Sequence, residues 1–200
     1  MTRRKYLNVY QFKISLKGIK PKIWRRIQVP ESYTFWDLHV AIQDSMGWGD
    51  YHLHSFTLKN PVTAEKKEIG IPSDDIFADE MPTLTGWKEK ISKWFTEKNK
   101  KAKYVYDFGD DWHHEVRLEK ISPKEEKGRY PSCIAGERAC PPEDCGGIWG
   151  YHNLLEIISN PAHEEYEEMM EWLGGGYDPE AFAPAKVEFD NPKERLKNIL

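Results

Sequence analysis

Residues 10–30, YQFKISLKGIKPKIWRRIQVP, alternate apolar and polar side chains on both sides of a short Gly/Pro break. A segment with this period of two is typical of a strand that turns one face to a core and the other to water. We therefore predict an antiparallel hairpin made of residues 6–16 and 23–29. Arg25 and Arg26 fall on opposite faces of the second strand, so one of them is expected to find its partners inside the protein.

A helix is predicted directly after this hairpin. Thr34 and Asp37 have the spacing of a capping box, and Gly47 is placed to end the helix. The residues between them form one apolar stripe at helical spacing: Phe35, Leu38, Ile42 and Met46.

A third strand is predicted at residues 52–58, HLHSFTL, where the period of two returns. His52 and His54 share one face of this strand. The order strand, strand, helix, strand over residues 6–58 predicts an α+β fold that starts as a β-grasp-like roll.

The remainder of the chain is predicted to continue the same single domain, residues 1–200. Residues 59–103 form a polar excursion with a second helix at about residues 84–95, which ends in the lysine-rich residues 98–103. Residues 104–200 contain a second hairpin around residues 109–111, a cysteine-containing loop, and a helical C-terminal part.

The composition limits the classes of protein that this chain can belong to. No window approaches eighteen apolar residues, which argues against a membrane span, and the N-terminus lacks the apolar stretch of a signal peptide. Three cysteines are an odd number, which favours a reducing compartment, so we predict a cytoplasmic protein. The net charge of −4 provides no general attraction to nucleic acid, although a local basic patch is compatible with it.

The cysteines lie in residues 130–151, a stretch rich in proline and glycine that predicts an ordered loop. Cys133, Cys140 and Cys145 could supply three thiolates to a zinc ion, with a histidine as the fourth ligand. Their spacing differs from the CxxC pattern of common zinc sites. The other interpretation is that the three are small buried hydrophobic residues.

Several motifs resemble those of the plasmid pRiA4b ORF-3-like family, which is also described as a resolvase-like passenger of insertion elements. In chain order they are PKIWRRIQVP, DLHVAIQDSMGW, HLHSF, YDFGDDWHH, ACPPEDCGG and HEEY followed by WLGGGYDPE. The resemblance covers about residues 10–187. It implies a small α+β roll and a link to plasmids or insertion elements, and it supplies no established biochemical function.

We expect the second hairpin and the cysteine loop to lie side by side and to line one pocket. Both stretches are dense in ionisable side chains, which are costly to bury without partners. The candidate residues of this pocket are His52, His54, Asp110, Asp111, Trp112, His114, Glu143 and Asp144.

Three functions are compatible with such a pocket. The first is a binding or interaction module for an unknown protein or small molecule. The second is a small metal-dependent or His/Asp-based hydrolase, since histidines and carboxylates can bind metal or move protons. The third is a DNA-binding accessory protein.

Overall fold

The protein contains one sheet in which both hairpins and the cysteine loop take part. The computed structural model describes residues 6–72 and 82–200. The strands are β1 Asn8–Leu16, β2 Trp24–Pro30, β3 His54–Lys59, β4 Lys66–Gly70, β5 Leu84–Thr85, β6 Lys101–Tyr106, β7 Trp112–Pro123 and β8 Ser132–Glu137. The helices are α1 Phe35–Met46, α2 Ile91–Trp94, α3 Gly147–Ser159, α4 Tyr166–Trp172 and α5 Pro192–Leu196, with a 3-10 turn at Pro184–Lys186.

The strand order across this sheet is β5-β4-β3-β6-β7-β1-β2-β8, with every pair antiparallel except β4 and β5. The predicted α+β class is confirmed, and so is the antiparallel pairing of the first hairpin. The hairpin of β6 and β7 lies between β3 and β1, so the strands of the ββαβ start are not all neighbours in the sheet.

Helix α1 covers one face of the sheet and begins and ends where the sequence predicts. The Thr34 side chain accepts a hydrogen bond from the Asp37 amide, and Asp37 accepts one from the Thr34 amide. Gly47 takes a left-handed conformation with φ of 93°, a conformation that glycine adopts without strain. The apolar stripe of α1 is fully buried against the core faces of β1, β2 and β3.

The predicted second helix is wrong in length. Residues 84–95 contain the two-residue strand β5, a turn, and the single helical turn α2. The amide of Gly86 donates a hydrogen bond to the carbonyl of Gly70 in β4. A longer helix would have needed this amide for its own hydrogen bonds. Lys101 and Lys103 belong to strand β6 and not to the end of a helix.

Other expectations are met in part. Ser132–Glu137 of the cysteine loop pairs with β2 as the edge strand of the sheet. Arg25 is the buried arginine of the pair, and its guanidinium donates to the carbonyls of Ser45, Trp24 and Glu137.

Within the described parts of the chain, none of the helices has the length and apolar character that crossing a membrane requires.

Candidate functional site

The second hairpin and the cysteine loop are in direct contact, as expected from the sequence. The amide of Gly146 donates to Asp110 Oδ2 over 3.2 Å. Gly147 has φ of 66°, and a Cβ atom there would lie 2.5 Å from the carbonyl oxygen of Asp110. Only glycine fits at this position, because the start of α3 packs directly against the turn between β6 and β7.

Glu143 attaches the same loop to the segment after α1 and to β6. Its Oε2 atom accepts a 2.7 Å hydrogen bond from the Gly49 amide, and its Oε1 atom accepts one from the Tyr106 hydroxyl. Burial and the neighbouring Glu143 carboxylate raise the pKa of Tyr106, so this phenol stays protonated and donates. Trp48 Nε1 donates to the carbonyl of Pro141 over 2.9 Å. Both oxygens of Glu143 are therefore used to position the loop.

Three ligand atoms converge beside this loop. His52 Nε2 lies 2.9 Å from Asp144 Oδ1 and 3.7 Å from Asp107 Oδ2. The exposed fractions of the side chains are 31% for His52, 10% for Asp107 and 65% for Asp144. Among the residues that the structure describes, this is the one group of three histidine, cysteine or acidic side chains whose ligand atoms lie within 4.8 Å of one another.

We call His52, Asp107 and Asp144 the His52 trio. Each of the three lies in a different connection between secondary-structure elements. His52 precedes β3, Asp107 follows β6, and Asp144 lies between β8 and α3. Asp107 and Asp144 both take a left-handed backbone, with φ of 56° and 58°. Asp is one of the few residues other than glycine that visits this conformation, at a modest cost in energy.

Asp107 was missed as a site residue in the sequence. Its Oδ1 atom accepts a 2.9 Å hydrogen bond from the Gly109 amide, which fixes the carboxylate and turns Oδ2 toward His52. The signal was present in the sequence Asp107-Phe108-Gly109, because an acidic residue directly after a buried strand and before a glycine is typical of a fixed turn carboxylate.

Two predicted histidines do not reach the trio. His54 is buried in β3 and stacks on His39, with ring centroids 3.4 Å apart. His114 is buried in β7, next to Trp48. Both residues lie on the core-facing side of their strands, together with Phe56 and other apolar side chains. Burial lowers the pKa of His54 well below its usual range and lowers the pKa of His114 to about 3, so both rings are neutral.

The remaining predicted residues of the hairpin are also outside the trio. Trp112 is 1% exposed and belongs to the core. The Asp111 carboxylate lies 2.6 Å from His113 Nε2, so it pairs with its own strand and not with the cysteine loop. Of the eight candidates, the structure brings together His52 and Asp144, with Asp110 and Glu143 holding the loop beside them.

The three cysteines do not form the predicted zinc site. Their sulfur atoms are absent from the one group of close ligand atoms described above. Burial raises the pKa of all three thiols, that of Cys145 to about 12. Cys133, Cys140 and Cys145 instead pack against the hydrophobic core, which agrees with the interpretation that they are small buried residues.

A second histidine-carboxylate cluster lies in the interior, close to the trio. His39 Nε2 is 2.7 Å from Asp50 Oδ1, and His39 Nδ1 is 2.8 Å from the Tyr104 hydroxyl. Arg195 of α5 reaches the same cluster, with Nη2 2.6 Å from Asp44 Oδ1 and Nη1 3.6 Å from Asp50 Oδ2. Desolvation raises the pKa of Asp44 to about 6 despite this arginine.

The side chains next to the trio in sequence are apolar and exposed, and they form its rim. Tyr51 and Leu53 flank His52 in sequence, and Phe108 follows Asp107; all three expose more than half of their area. The Asp107 amide binds the carbonyl of Leu53 over 2.9 Å, which keeps the two sides of the rim together. A half-exposed histidine-carboxylate trio inside an apolar rim is an arrangement suited to binding a ligand.

Known proteins share both the sequence and the fold. "Uncharacterized protein y4hQ" of Sinorhizobium fredii is 32% identical over 180 residues, which are 87% of this chain and 86% of that protein. The crystal structure of a protein of unknown function, MM3350 from Methanosarcina mazei Go1, is 52% identical and has a TM-score of 0.86, covering 92% of this chain and 100% of that one. The family model described as "Plasmid pRiA4b ORF-3-like protein" matches residues 8–186. The chain therefore belongs to the plasmid pRiA4b ORF-3-like family, as its motifs predicted.

Proposed function

We propose that this protein is a binding module that holds a divalent cation in the His52 trio, next to the exposed apolar side chains of Tyr51, Leu53 and Phe108. The single observation that carries this proposal is the convergence of three ligand atoms from three separate connections within 4.8 Å. An imidazole with two carboxylates is a ligand set that suits zinc and other first-row divalent ions.

The distances in the trio fit a zinc ion. Bonds of about 2.1 Å in a tetrahedral site place two ligand atoms about 3.4 Å apart. The observed separations from His52 Nε2 are 2.9 Å to Asp144 and 3.7 Å to Asp107, on either side of that value. Shifts of a few tenths of an ångström in the partly exposed His52 and the exposed Asp144 would complete the geometry around the fixed Asp107 carboxylate.

A metal-dependent hydrolase is the second candidate, and one observation favours it. The Asp144 side chain is 65% exposed, so the solvent side of the trio is open. Catalytic zinc sites use three protein ligands and keep a position for water, whereas structural sites use four protein ligands. Turnover of p-nitrophenyl phosphate or p-nitrophenyl acetate by the zinc-loaded protein would select the enzyme, and zinc binding without turnover would select the binding module.

The test is a zinc titration of protein that has been treated with a chelator and dialysed. We expect calorimetry to find about one site per chain and the melting temperature to rise, since a ligand at 100 times its Kd stabilises a protein by about 2.7 kcal/mol. His52→Ala and Asp144→Asn should abolish both responses.

Asp111→Asn is the matched control variant. Asp111 lies in the same turn as Asp107, has the same φ of 56°, and pairs with a histidine, but no third ligand atom joins that pair. This variant should bind zinc as the native protein does. The proposal is overturned if native protein shows no saturable zinc binding, or if Asp144→Asn binds as tightly as Asp111→Asn. In either case, His52 is a contact partner of the two carboxylates and the trio holds no metal.

A further inference from the structure

The face of the sheet opposite α1 carries a concentration of basic side chains. Strands β1, β2, β6 and β7 turn their core residues toward α1, and the alternate residues point away from it. Two carboxylates, Glu115 and Glu119, lie among these outward residues. The basic residues on this face and at its rim are Lys13, Lys17, Arg26, Lys101, Lys103 and Arg117.

Four of these cations are aligned in one row across four adjacent strands. Lys101 is opposite Arg117, Arg117 is opposite Lys13, and Lys13 is opposite Arg26. Neighbouring strands are about 4.8 Å apart, so the row spans about 14 Å. Like charges that face each other across strands destabilise a sheet, so the fold itself gives no reason for this row.

The two carboxylates form hydrogen bonds with the ends of the row and interact with its central cations only through space, Glu119 with Lys13 and Glu115 with Arg117. Glu119 accepts two hydrogen bonds from Arg26, over 2.6 and 3.0 Å, and Glu115 accepts one from Lys101 over 3.0 Å. Within the described chain, neither Lys13 nor Arg117 is hydrogen-bonded to a carboxylate. The row therefore has four cations against two carboxylates, and its excess positive charge can be neutralised by a ligand.

An aromatic ring lies beside the row on the same face. Trp24 precedes Arg26 by two residues and is half-buried. The Nζ atom of Lys13 is 4.2 Å from the centre of this ring, and the guanidinium carbon of Arg26 is 5.1 Å from it. Lys13 and Arg26 thus already lie over the Trp24 ring, and a planar base that stacks on this ring would replace one of these cations.

A groove continues from the row at the other end of the face. Its volume is about 610 Å³, and its lining includes Lys17, Lys101, Lys103 and His113. Ile148 of α3 forms part of its wall. The groove extends the basic surface toward the turn between β6 and β7, so a ligand longer than the row would remain in contact with basic side chains.

We propose that this face, the basic sheet face, docks single-stranded nucleic acid. Successive phosphates would contact the cation row, and a base would stack on Trp24, which is the usual way in which proteins bind single strands. A duplex fits less well, because its major groove admits a helix or a two-stranded ribbon and this face presents neither. The proposal is independent of the His52 trio, which lies in the loops at one edge of the sheet.

The net charge of −4 does not argue against this surface, because the charge is unevenly distributed along the chain. Residues 164–171 alone carry five glutamates, at and just before helix α4. An overall acidic protein can therefore present a basic face, and its attraction to nucleic acid would be local and strongly dependent on salt.

The test compares two double variants with equal change of charge. Lys13→Glu with Arg117→Glu reverses the centre of the row, and Lys93→Glu with Lys186→Glu reverses two exposed lysines on α2 and on the 3-10 turn. Binding of fluorescein-labelled oligo-dT and oligo-U, each about 20 nucleotides long, is measured by fluorescence anisotropy at several salt concentrations between about 25 and 200 mM. A hairpin duplex of the same length is the third probe.

We expect the row variant to lose at least about tenfold in affinity for the single strands and the control variant to lose much less. Each lost phosphate contact lowers the slope of log K against log salt by about 0.7 for a single strand, so the row variant should lose about 1.4. Circular dichroism and melting temperature verify that both variants fold. The proposal is overturned if native protein does not bind the single strands, if the two variants bind equally, or if the duplex binds more tightly than either single strand.

Discussion

His52 and His54 are two residues apart on what the sequence predicts to be one strand face, and yet they have opposite environments. His54 is 3% exposed, stacks on His39 and has a pKa well below its usual range because of burial. His52 lies just before β3 begins, where the chain has left the sheet, and it contacts two carboxylates, those of Asp107 and Asp144. The position of the strand end decides which histidine belongs to the core and which to the candidate site.

The carboxylates near the two histidines are also held differently, those near His54 through the ring of His39, on which it stacks. The interior cluster of His39, Asp50, Asp44 and Arg195 joins α1 to α5, and its members are largely enclosed by protein. The trio around His52 joins three loops and is open to solvent on one side. We therefore expect the interior cluster to determine stability and the trio to determine binding.

The largest effect is expected from Arg195→Met, which would leave the Asp44 carboxylate buried without its cation. Asp44 is 4% exposed in its side chain, and breaking a buried ion pair costs about 3–5 kcal/mol. Urea unfolding at pH 8 measures this loss. Because the pKa of Asp44 is about 6, the loss should be smaller at pH 5, where the carboxyl is protonated.

Lys197→Met is the control for that experiment. Lys197 lies directly after α5 and forms an exposed ion pair with Glu194, so its replacement should cost less than about 1 kcal/mol. Equal losses for the Arg195 and Lys197 variants would contradict the role assigned to the interior cluster.

The next effect is expected from His54→Ala. The ring fills the space between His39 and Phe56, and removal of a buried ring leaves a cavity. We expect a loss of about 2 kcal/mol or more in the free energy of unfolding at pH 7.5. A near-neutral result would show that His54 does not belong to the core.

A pH-dependent effect is expected from His114→Phe. The pKa of His114 is about 3 when folded and near 6.5 when unfolded, so between these values only the unfolded state binds the proton. Native stability is therefore lost as the pH falls through 6.5. The phenylalanine variant should lower the slope of stability against pH by about 1.4 kcal/mol per unit between roughly pH 6 and 4.

Asp44 contributes with the opposite sign over part of this range. Its raised pKa of about 6 makes the folded state hold a proton that the unfolded state has released, which favours folding as the pH falls toward 4. This contribution is common to both proteins and cancels in the comparison. Parallel stability curves for the native protein and the variant would contradict a neutral, buried His114.

The smallest effect on stability is expected from His52→Ala. Its contacts with Asp107 and Asp144 are partly exposed, and exposed ion pairs contribute about 0–1 kcal/mol. Chemical unfolding without metal should place this variant within about 1 kcal/mol of the native protein. A loss of stability as large as that of His54→Ala would show that the trio is needed for stability. The expected difference between a core histidine and a site histidine would then be wrong.

The parts of the fold with strong local signals were predicted from the sequence. The period of two located β1 and β2, and the capping box and glycine located both ends of α1. The helix predicted at residues 84–95 is wrong in length. The apolar spacing of this stretch suits a helix, but the backbone groups of its first residues form the pairing between β4 and β5. Such pairing depends on distant segments that a local pattern does not contain.

The candidate site was predicted in part for the same reason. The contact between the hairpin turn and the cysteine loop followed from their composition, and His52 and Asp144 were found. Asp107 was left out because it lies just past the end of β6, and strand ends are the least certain part of a sequence pattern. His54 and His114 lie on the core-facing sides of β3 and β7, away from the trio, and the candidate site as a whole stays a prediction. The link to plasmids or insertion elements and the cytoplasmic location stay predictions.

The position of β1 has a consequence for folding during synthesis. β1 lies inside the sheet between β2 and β7, so one of its edges stays unpaired until residues near 123 have been made. At translation rates of about 5–20 residues per second, the roughly 107 residues between the end of β1 and the end of β7 take about 5–20 s. During this interval the first hairpin exposes an apolar face and a free strand edge on the ribosome. Nascent chains of this protein are therefore expected to be clients of ribosome-associated chaperones until β7 emerges.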